Sequence, residues 1–135
     1  MKKKKSKSKK RRVKRAEYKF ILVGERPVPE PNLMKWAKWI ENTKNRIIRG
    51  ENVGRRFWVS TVFLGYDSNF SLRSKRPVLF ETMVFSRRMS YHTYKGRKFP
   101  YCKSFDDYSQ RYHTWKEAIR GHNKTVKLLK LKELR

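Results

Sequence analysis

The sequence predicts an α+β fold in which a small antiparallel sheet of two to four strands is packed by two amphipathic helices, behind a disordered basic N-terminal arm. Three observations carry this expectation. Phe57 to Leu64 (FWVSTVFL) and Val78 to Phe85 (VLFETMVF) are eight-residue runs rich in β-branched and aromatic side chains, which suit a pleated, half-buried surface. Two other stretches, opening at Asn32 and at Thr114, repeat apolar residues at spacings of three and four, the period of a helix with one covered face. Residues 1 to 15 hold eleven Lys or Arg and no acid, a like-charge block that cannot collapse on itself. The resulting organisation is an arm at 1–15 and one α+β domain at 16–135, because 135 residues have room for a single modest core.

The elements follow in order. Tyr18 to Val23 is a short apolar run that reads as an edge strand closed by Gly24, after which Pro27, Pro29 and Pro31 are expected to forbid regular structure and give a stiff connector. From Asn32, a good N-cap, Leu33, Trp36, Ala37, Ile40 and Ile47 keep a helical period with Lys35, Lys38, Lys44 and Arg46 between them, and Gly50 is the expected stop. The two eight-residue runs should pair antiparallel. Gly65 to Pro77 between them is too long for a two-residue turn and should be a true loop carrying Asp67, Arg73, Lys75 and Arg76. Residues 86 to 111 are polar, aromatic and basic, with Gly96 and Pro100 as breakers, and read as extended and partly irregular, with no strand assigned. Thr114-Trp115-Lys116-Glu117 has the spacing of a capping box, so a helix should start there, present Ala118, Ile119, His122, Val126 and Leu129 on one face, and run to about Leu131.

Composition narrows the function. The chain carries 37 Lys and Arg against 11 Asp and Glu, a formal charge of +26. Removing the arm leaves 26 basic and 11 acidic residues, so the remainder still carries +15. Self-repulsion at that charge opposes compaction, and a polyanionic partner is the simplest reason for it. No run approaches the roughly 18 apolar residues of a membrane helix, and no signal-peptide pattern follows the basic N-terminus, so the expected location is intracellular, the host cytoplasm for a phage-encoded chain, or a virion. The arm also satisfies a nuclear-localisation pattern, as any basic arm does. Cys102 is the sole cysteine, which excludes an internal disulfide and a multi-thiolate metal site; it is expected as a small half-buried side chain.

VSTVFLGYDSNF at 59–70, PVLFETMVF at 77–85 and RYHTWKEAIRGH at 111–122 resemble, in order and spacing, three blocks of a widespread family of small bacteriophage and prophage proteins. That family typically reads STVFLGLDHxF, PPLLFETMVF and RYSTWEEALxGH, with a preceding helix that contains a Trp-Ala pair like Trp36-Ala37. The likeness covers roughly residues 32 to 127 and implies a phage origin; the family has no established activity to carry over. Asp67-Ser68 stands where the family has Asp-His, which weakens any scheme using that imidazole, and the arm and the basic residues of 86–103 look like additions in this member.

Two constellations bear chemistry. Ser60, Thr61, Glu81 and Thr82 are polar residues inside apolar strands, and pairing about the loop should bring Ser60 or Thr61 near Glu81 or Thr82. With Asp67 and His122 these allow a metal-dependent or acid–base enzyme built on Asp67, Glu81 and His122, against the plainer reading of a solvated sheet face, a turn cap and an ordinary histidine contact. No nucleophile motif, phosphate loop, dinucleotide fingerprint or zinc motif is present, and His92, His113 and His122 share no ligand spacing, so no metal and no cofactor is expected. The second constellation is a basic-aromatic interleaving. Arg87, Arg88, Lys95, Arg97, Lys98 and Lys103 alternate with Tyr91, Tyr94, Phe99, Tyr101, Phe105, Tyr108 and Tyr112, with Arg111 beyond them. Cations neutralise phosphates and aromatic faces stack unpaired bases, so nucleic acid, DNA or RNA, is the leading partner. The arm residues Lys2, Lys3, Lys4, Lys5, Lys7, Lys9, Lys10, Arg11, Arg12, Lys14 and Arg15 would add long-range attraction. The expectation is thus a non-catalytic accessory protein that binds nucleic acid largely without sequence readout. The alternatives are a module targeting a host protein, a structural component of a nucleoprotein or virion assembly, and the enzyme just described.

Overall fold

Alternation of large apolar side chains decides which face of each strand is covered. The computed structural model describes residues 18–69 and 76–134. In chain order these form β1 (Phe20–Val23), β2 (Arg26–Pro29), α1 (Leu33–Glu41), α2 (Thr43–Arg46), β3 (Ile47–Val53), β4 (Phe57–Phe63), β5 (Phe80–Tyr94), β6 (Arg97–Ser104), a 3-10 turn at Asp106–Tyr108, β7 (Gln110–Tyr112) and α3 (Trp115–Glu133). The fold is α+β. β3, β4, β5 and β6 lie side by side, all antiparallel, with β7 on β5, while β1 and β2 make a separate hairpin. Five strands in the main sheet exceed the two to four expected. The basic arm, with Lys2 to Arg15, lies outside the described residues, as do Arg73 and Lys75 of the loop before β5.

The two strongest strand runs pair as expected, with Thr61 opposite Thr82 and Phe63 opposite Phe80. One face of β4 and β5, set by Phe57, Val59, Phe63, Phe80 and Val84, is buried under α3 through Ala118, Val126 and Leu129. Phe63 and Phe80 are fully covered, and burying a side chain of that size contributes roughly 1.5–3 kcal/mol. α1 reaches the same face at its end: Trp39 meets Phe63 edge-on at 5.6 Å, and the Trp36 indole donates to the Gly65 carbonyl at 2.7 Å. α3 starts where the capping box places it. The Thr114 hydroxyl accepts from the Glu117 amide at 3.1 Å, while the Glu117 carboxylate turns to Arg76. The helix runs two residues beyond the expected Leu131, to Glu133.

Three sequence expectations are corrected. The helix from Asn32 does not reach Gly50. It ends at Glu41, Asn42 recaps a single turn by accepting from the Lys44 amide, and the β-branched pair Ile47-Ile48 enters β3 instead. Gly50 is then a strand residue whose missing side chain leaves room for the Trp58 ring. The prolines after Gly24 do not prevent pairing, because Pro27 and Pro29 sit opposite Leu22 and Phe20 in a two-stranded hairpin, where each strand can turn its donor-less side outward. The segment after Phe85 is not strandless: it is a β-hairpin with one register irregularity between Phe85 and Met89. β5 continues to Tyr94, turns through Lys95 (φ 49) and Gly96 (φ 75), and returns as β6. Two successive left-handed residues make the tight hairpin turn whose twist matches the strands. Pro100 is tolerated in β6 because β6 is an edge strand. No described helix is long and apolar enough to cross a membrane.

Candidate nucleic-acid interface and a buried polar chain

Beyond Ser86 the β5–β6 hairpin leaves the covered part of the sheet. From Arg87 to Tyr94 only Ser90 is even partly covered, and every residue of β6 is exposed. Tyr91 (62%), Tyr94 (58%), Phe99 (48%) and Tyr101 (44%) therefore present large rings to solvent. No carboxylate occurs between residues 86 and 105. Pairing fixes what shares a face, because opposed residues of an antiparallel ladder point the same way and successive residues alternate. Ser90 faces Tyr101, His92 faces Phe99 and Tyr94 faces Arg97. One face thus carries His92, Tyr94, Arg97, Phe99, Tyr101 and Lys103, four aromatic rings and two cations. The other carries Met89, Tyr91, Lys98 and Cys102, since Met89 opposes Cys102 and Thr93 opposes Lys98. Cys102, expected half-buried, is exposed there, because the ribbon has no covered face. Lys95 sits in the turn with its ammonium 5.4 Å from the Tyr94 ring centre. Arg87 and Arg88 lie at the ribbon's root, where an irregularity in β5 between Phe85 and Met89 reorients the strand.

Asp67, Glu81 and His122 are not brought together, and no group of three metal-ligating side chains forms among the described residues. Asp67 caps a turn, its carboxylate accepting from the amides of Asn69 (2.8 Å) and Val78 (2.9 Å). Glu81 lies on the sheet face opposite Thr82 and accepts from the Arg111 guanidinium at 2.7 Å, a hydrogen bond and charge that push Arg111 further above its ordinary value. His113, on neither face, bonds the Pro77 carbonyl.

His122 is instead the centre of a buried chain. Its Nδ1 is 2.7 Å from the Thr61 hydroxyl, which is 2.6 Å from the Thr82 hydroxyl, and its Nε2 is 2.7 Å from a Glu51 carboxylate oxygen. Thr61, Thr82 and His122 are fully covered. Glu51 reaches them because alternation along β3 points Arg49, Glu51 and Val53 toward α3, where Arg49 also bonds Asn123. A carboxylate only accepts, so Nε2 carries a proton; in the neutral tautomer Nδ1 accepts from Thr61, and Thr61 accepts from Thr82. The chain forms a polar stratum across four elements, β3, β4, β5 and α3. On one side lie Phe63, Phe80 and Ala118, on the other Val59, Val84 and Val126. A carboxylate, an imidazole and a hydroxyl in line have the connectivity of a nucleophile relay. With Thr61 fully buried and its oxygen taken by Thr82, no substrate reaches it, and the chain acts to fix the register of α3 on the sheet. The paired hydroxyls follow from equal distances to the loop, whereas Glu51 escapes sequence reading because its strand has the look of a helix end. Beside them the Tyr112 hydroxyl is buried against Gly121 without a hydrogen-bond partner of adequate geometry. Burial raises its ionisation above the ordinary tyrosine value, with Thr82 offsetting part of the rise.

Comparison with protein-family models, with curated proteins and with solved structures finds no match.

Proposed function

We propose that the protein is a phage-type accessory protein that binds nucleic acid through the β5–β6 ribbon, largely without sequence readout and without catalysis. The observation that carries this reading is the ribbon face bearing His92, Tyr94, Arg97, Phe99, Tyr101 and Lys103 with no carboxylate along either strand. A two-stranded hairpin is marginal in water on its own, and solvent-exposed rings at this density suit a surface that a partner covers. Base stacking uses the rings irrespective of sequence, and the cations at both ends of β6 meet phosphates. The arm, Lys2 to Arg15, adds sequence-independent attraction that concentrates the protein on a polyanion before the ribbon docks.

The test is binding of the full chain and two ribbon variants to labelled single-stranded DNA, duplex DNA and RNA across a salt series. Arg97→Gln with Lys103→Gln should lower the log–log salt slope by about 0.7 per cation on single strands and about 0.9 on duplex. Phe99→Ala with Tyr101→Ala should leave that slope unchanged and cost about 1–3 kcal/mol per ring on single strands. Wild-type affinity in both variants would remove the ribbon from the interface, and a failure of the full chain to bind at physiological salt would leave a host or virion protein as the partner to seek.

A further inference from the structure

At the ribbon's root a depression of about 730 Å³ opens between the β3–β4 turn, the first exposed residues of β5, the 3-10 turn and the end of α3. Arg55, Arg56, Arg87, Arg88 and Lys132 line it, and no carboxylate does. Its floor is aromatic: Phe57 is buried, Phe105 packs edge-on against it at 5.3 Å while staying 37% exposed, and Tyr108 lies beside them. Three of the cations are held in place by contacts within the protein. Arg56 is paired with Glu133 at 3.1 Å, the Arg87 guanidinium donates to the Gly54 carbonyl, and the Lys132 ammonium stands 5.2 Å from the Tyr108 ring centre. Arg55 and Arg88 are exposed.

Glu133 offsets Arg56, but the other four cations converging on the cavity repel one another unless a further anion sits among them. Rings alone would suit an apolar ligand, and cations alone would suit any anion. A planar ring joined to a phosphate satisfies both, with the guanidinium groups offering paired donors to phosphate oxygens. We infer that this depression binds a nucleoside phosphate, with the base against Phe105 and Tyr108 and the phosphate among Arg55, Arg87 and Arg88. The same chemistry comes either from a free mononucleotide or from the phosphorylated terminal nucleotide of a strand. The site uses none of the ribbon-face residues, so it stands or falls separately from the interface proposed above.

The experiment is calorimetric titration of the full chain, at near-physiological salt, with AMP, adenosine and inorganic phosphate, and with short oligonucleotides carrying or lacking a terminal phosphate. AMP should bind at least about tenfold more tightly than phosphate or adenosine alone. Arg55→Glu with Arg88→Glu, both at exposed positions that unfolding curves will confirm as folded, should weaken AMP by about tenfold or more, the scale of one charge-assisted hydrogen bond lost. Phe105→Leu should weaken AMP severalfold and leave phosphate unchanged. A terminal phosphate that tightens oligonucleotide binding in the native chain and not in the arginine variant assigns the site to strand ends; AMP binding without that effect assigns it to free nucleotide. Equal binding of AMP and phosphate, or AMP binding untouched by either variant, overturns the inference. The ribbon variant Phe99→Ala with Tyr101→Ala should bind AMP as the native chain does, whatever it does to nucleic acid.

Discussion

Replacing Thr61 by Val keeps the side-chain shape and removes one hydroxyl, and the structure makes its cost calculable. That hydroxyl is fully buried, 2.7 Å from His122 Nδ1 and 2.6 Å from the Thr82 hydroxyl, and beside a neutral imidazole protonated at Nε2 it donates to the first and accepts from the second. Thr61→Val therefore strands two buried polar groups at once, an imidazole acceptor and a threonine donor, each worth about 1–3 kcal/mol when left unmade. The expected loss is about 2–6 kcal/mol. Thr82→Val removes only the outermost donor, since Thr61 keeps its own donation to His122, and should cost about 1 kcal/mol. The double variant should cost less than the sum, because the Thr82 hydroxyl that Thr61→Val strands is then absent; a coupling of about 1–2 kcal/mol is expected for residues in one network. Urea unfolding of the four proteins measures all of this, with slopes that stay constant if only stability has changed. A Thr82→Val loss equal to or larger than that of Thr61→Val would show that the proton chain does not run from Thr82 through Thr61 to His122.

Tyr112→Phe deletes a buried hydroxyl that has no well-formed hydrogen bond, so it should change stability at neutral pH by no more than about 1 kcal/mol and in the stabilising direction. Its pH signature has a definite sign: the folded-state ionisation is raised, so the residue's contribution is complete below the ordinary tyrosine value and is lost as pH rises above about 10, and the variant should lose less stability there than the native chain. Parallel alkaline limbs would count against the burial. Gly121→Ala should gain about 1 kcal/mol on helix propensity alone, yet the added carbon would overlap the Tyr112 ring and hydroxyl, so the net result should be a loss of about 1–3 kcal/mol, read in thermal unfolding. Arg111→Ala leaves the largely covered Glu81 carboxylate without its cation, whereas Glu81→Ala leaves a half-exposed guanidinium that water can solvate. The arginine variant should be the less stable of the two by about 1 kcal/mol after solvent screening, with nucleic-acid binding retained in Glu81→Ala.

What the sequence discloses is governed by which residues have a covered face. β4 and β5 alternate large apolar groups against one side, so both their existence and the Thr61–Thr82 register are legible from composition and from equal spacing about the loop. α3 is legible because Thr114 and Glu117 mark its start and Ala118, His122, Val126 and Leu129 share one side. β3 is not, because Ile47 continues the helical spacing of Leu33, Trp36 and Ile40, and only the second cap at Asn42 breaks it. The ribbon is hidden for the opposite reason: with both faces exposed it has no apolar period to detect, and its one strong signal is a glycine at a two-residue turn. Of the candidate residues, His122 was visible as an inward polar position, but its true partners come from a strand that had been given to a helix. Arg55 and Arg56 follow Gly54 in a turn between two strands and become candidates only when folding places them beside Arg87 and Arg88.

The division between covered and uncovered sheet also separates the two jobs the chain must do. Packing is concentrated in the first part of β5, where Phe80, Thr82 and Val84 meet α3, and the same strand then continues for ten residues past Val84 with none buried. A strand that stopped at Phe85 would serve the core equally well. Its extension adds exposed rings and cations that raise the cost of folding through entropy and charge repulsion and contribute nothing to the interior. On the function proposed above, such a segment is maintained by the partner that covers it. The composition of that surface, rings for stacking and cations without a single acid, matches a polyanion with exposed planar groups better than it matches a folded protein, whose surface offers acids of one sign only in patches.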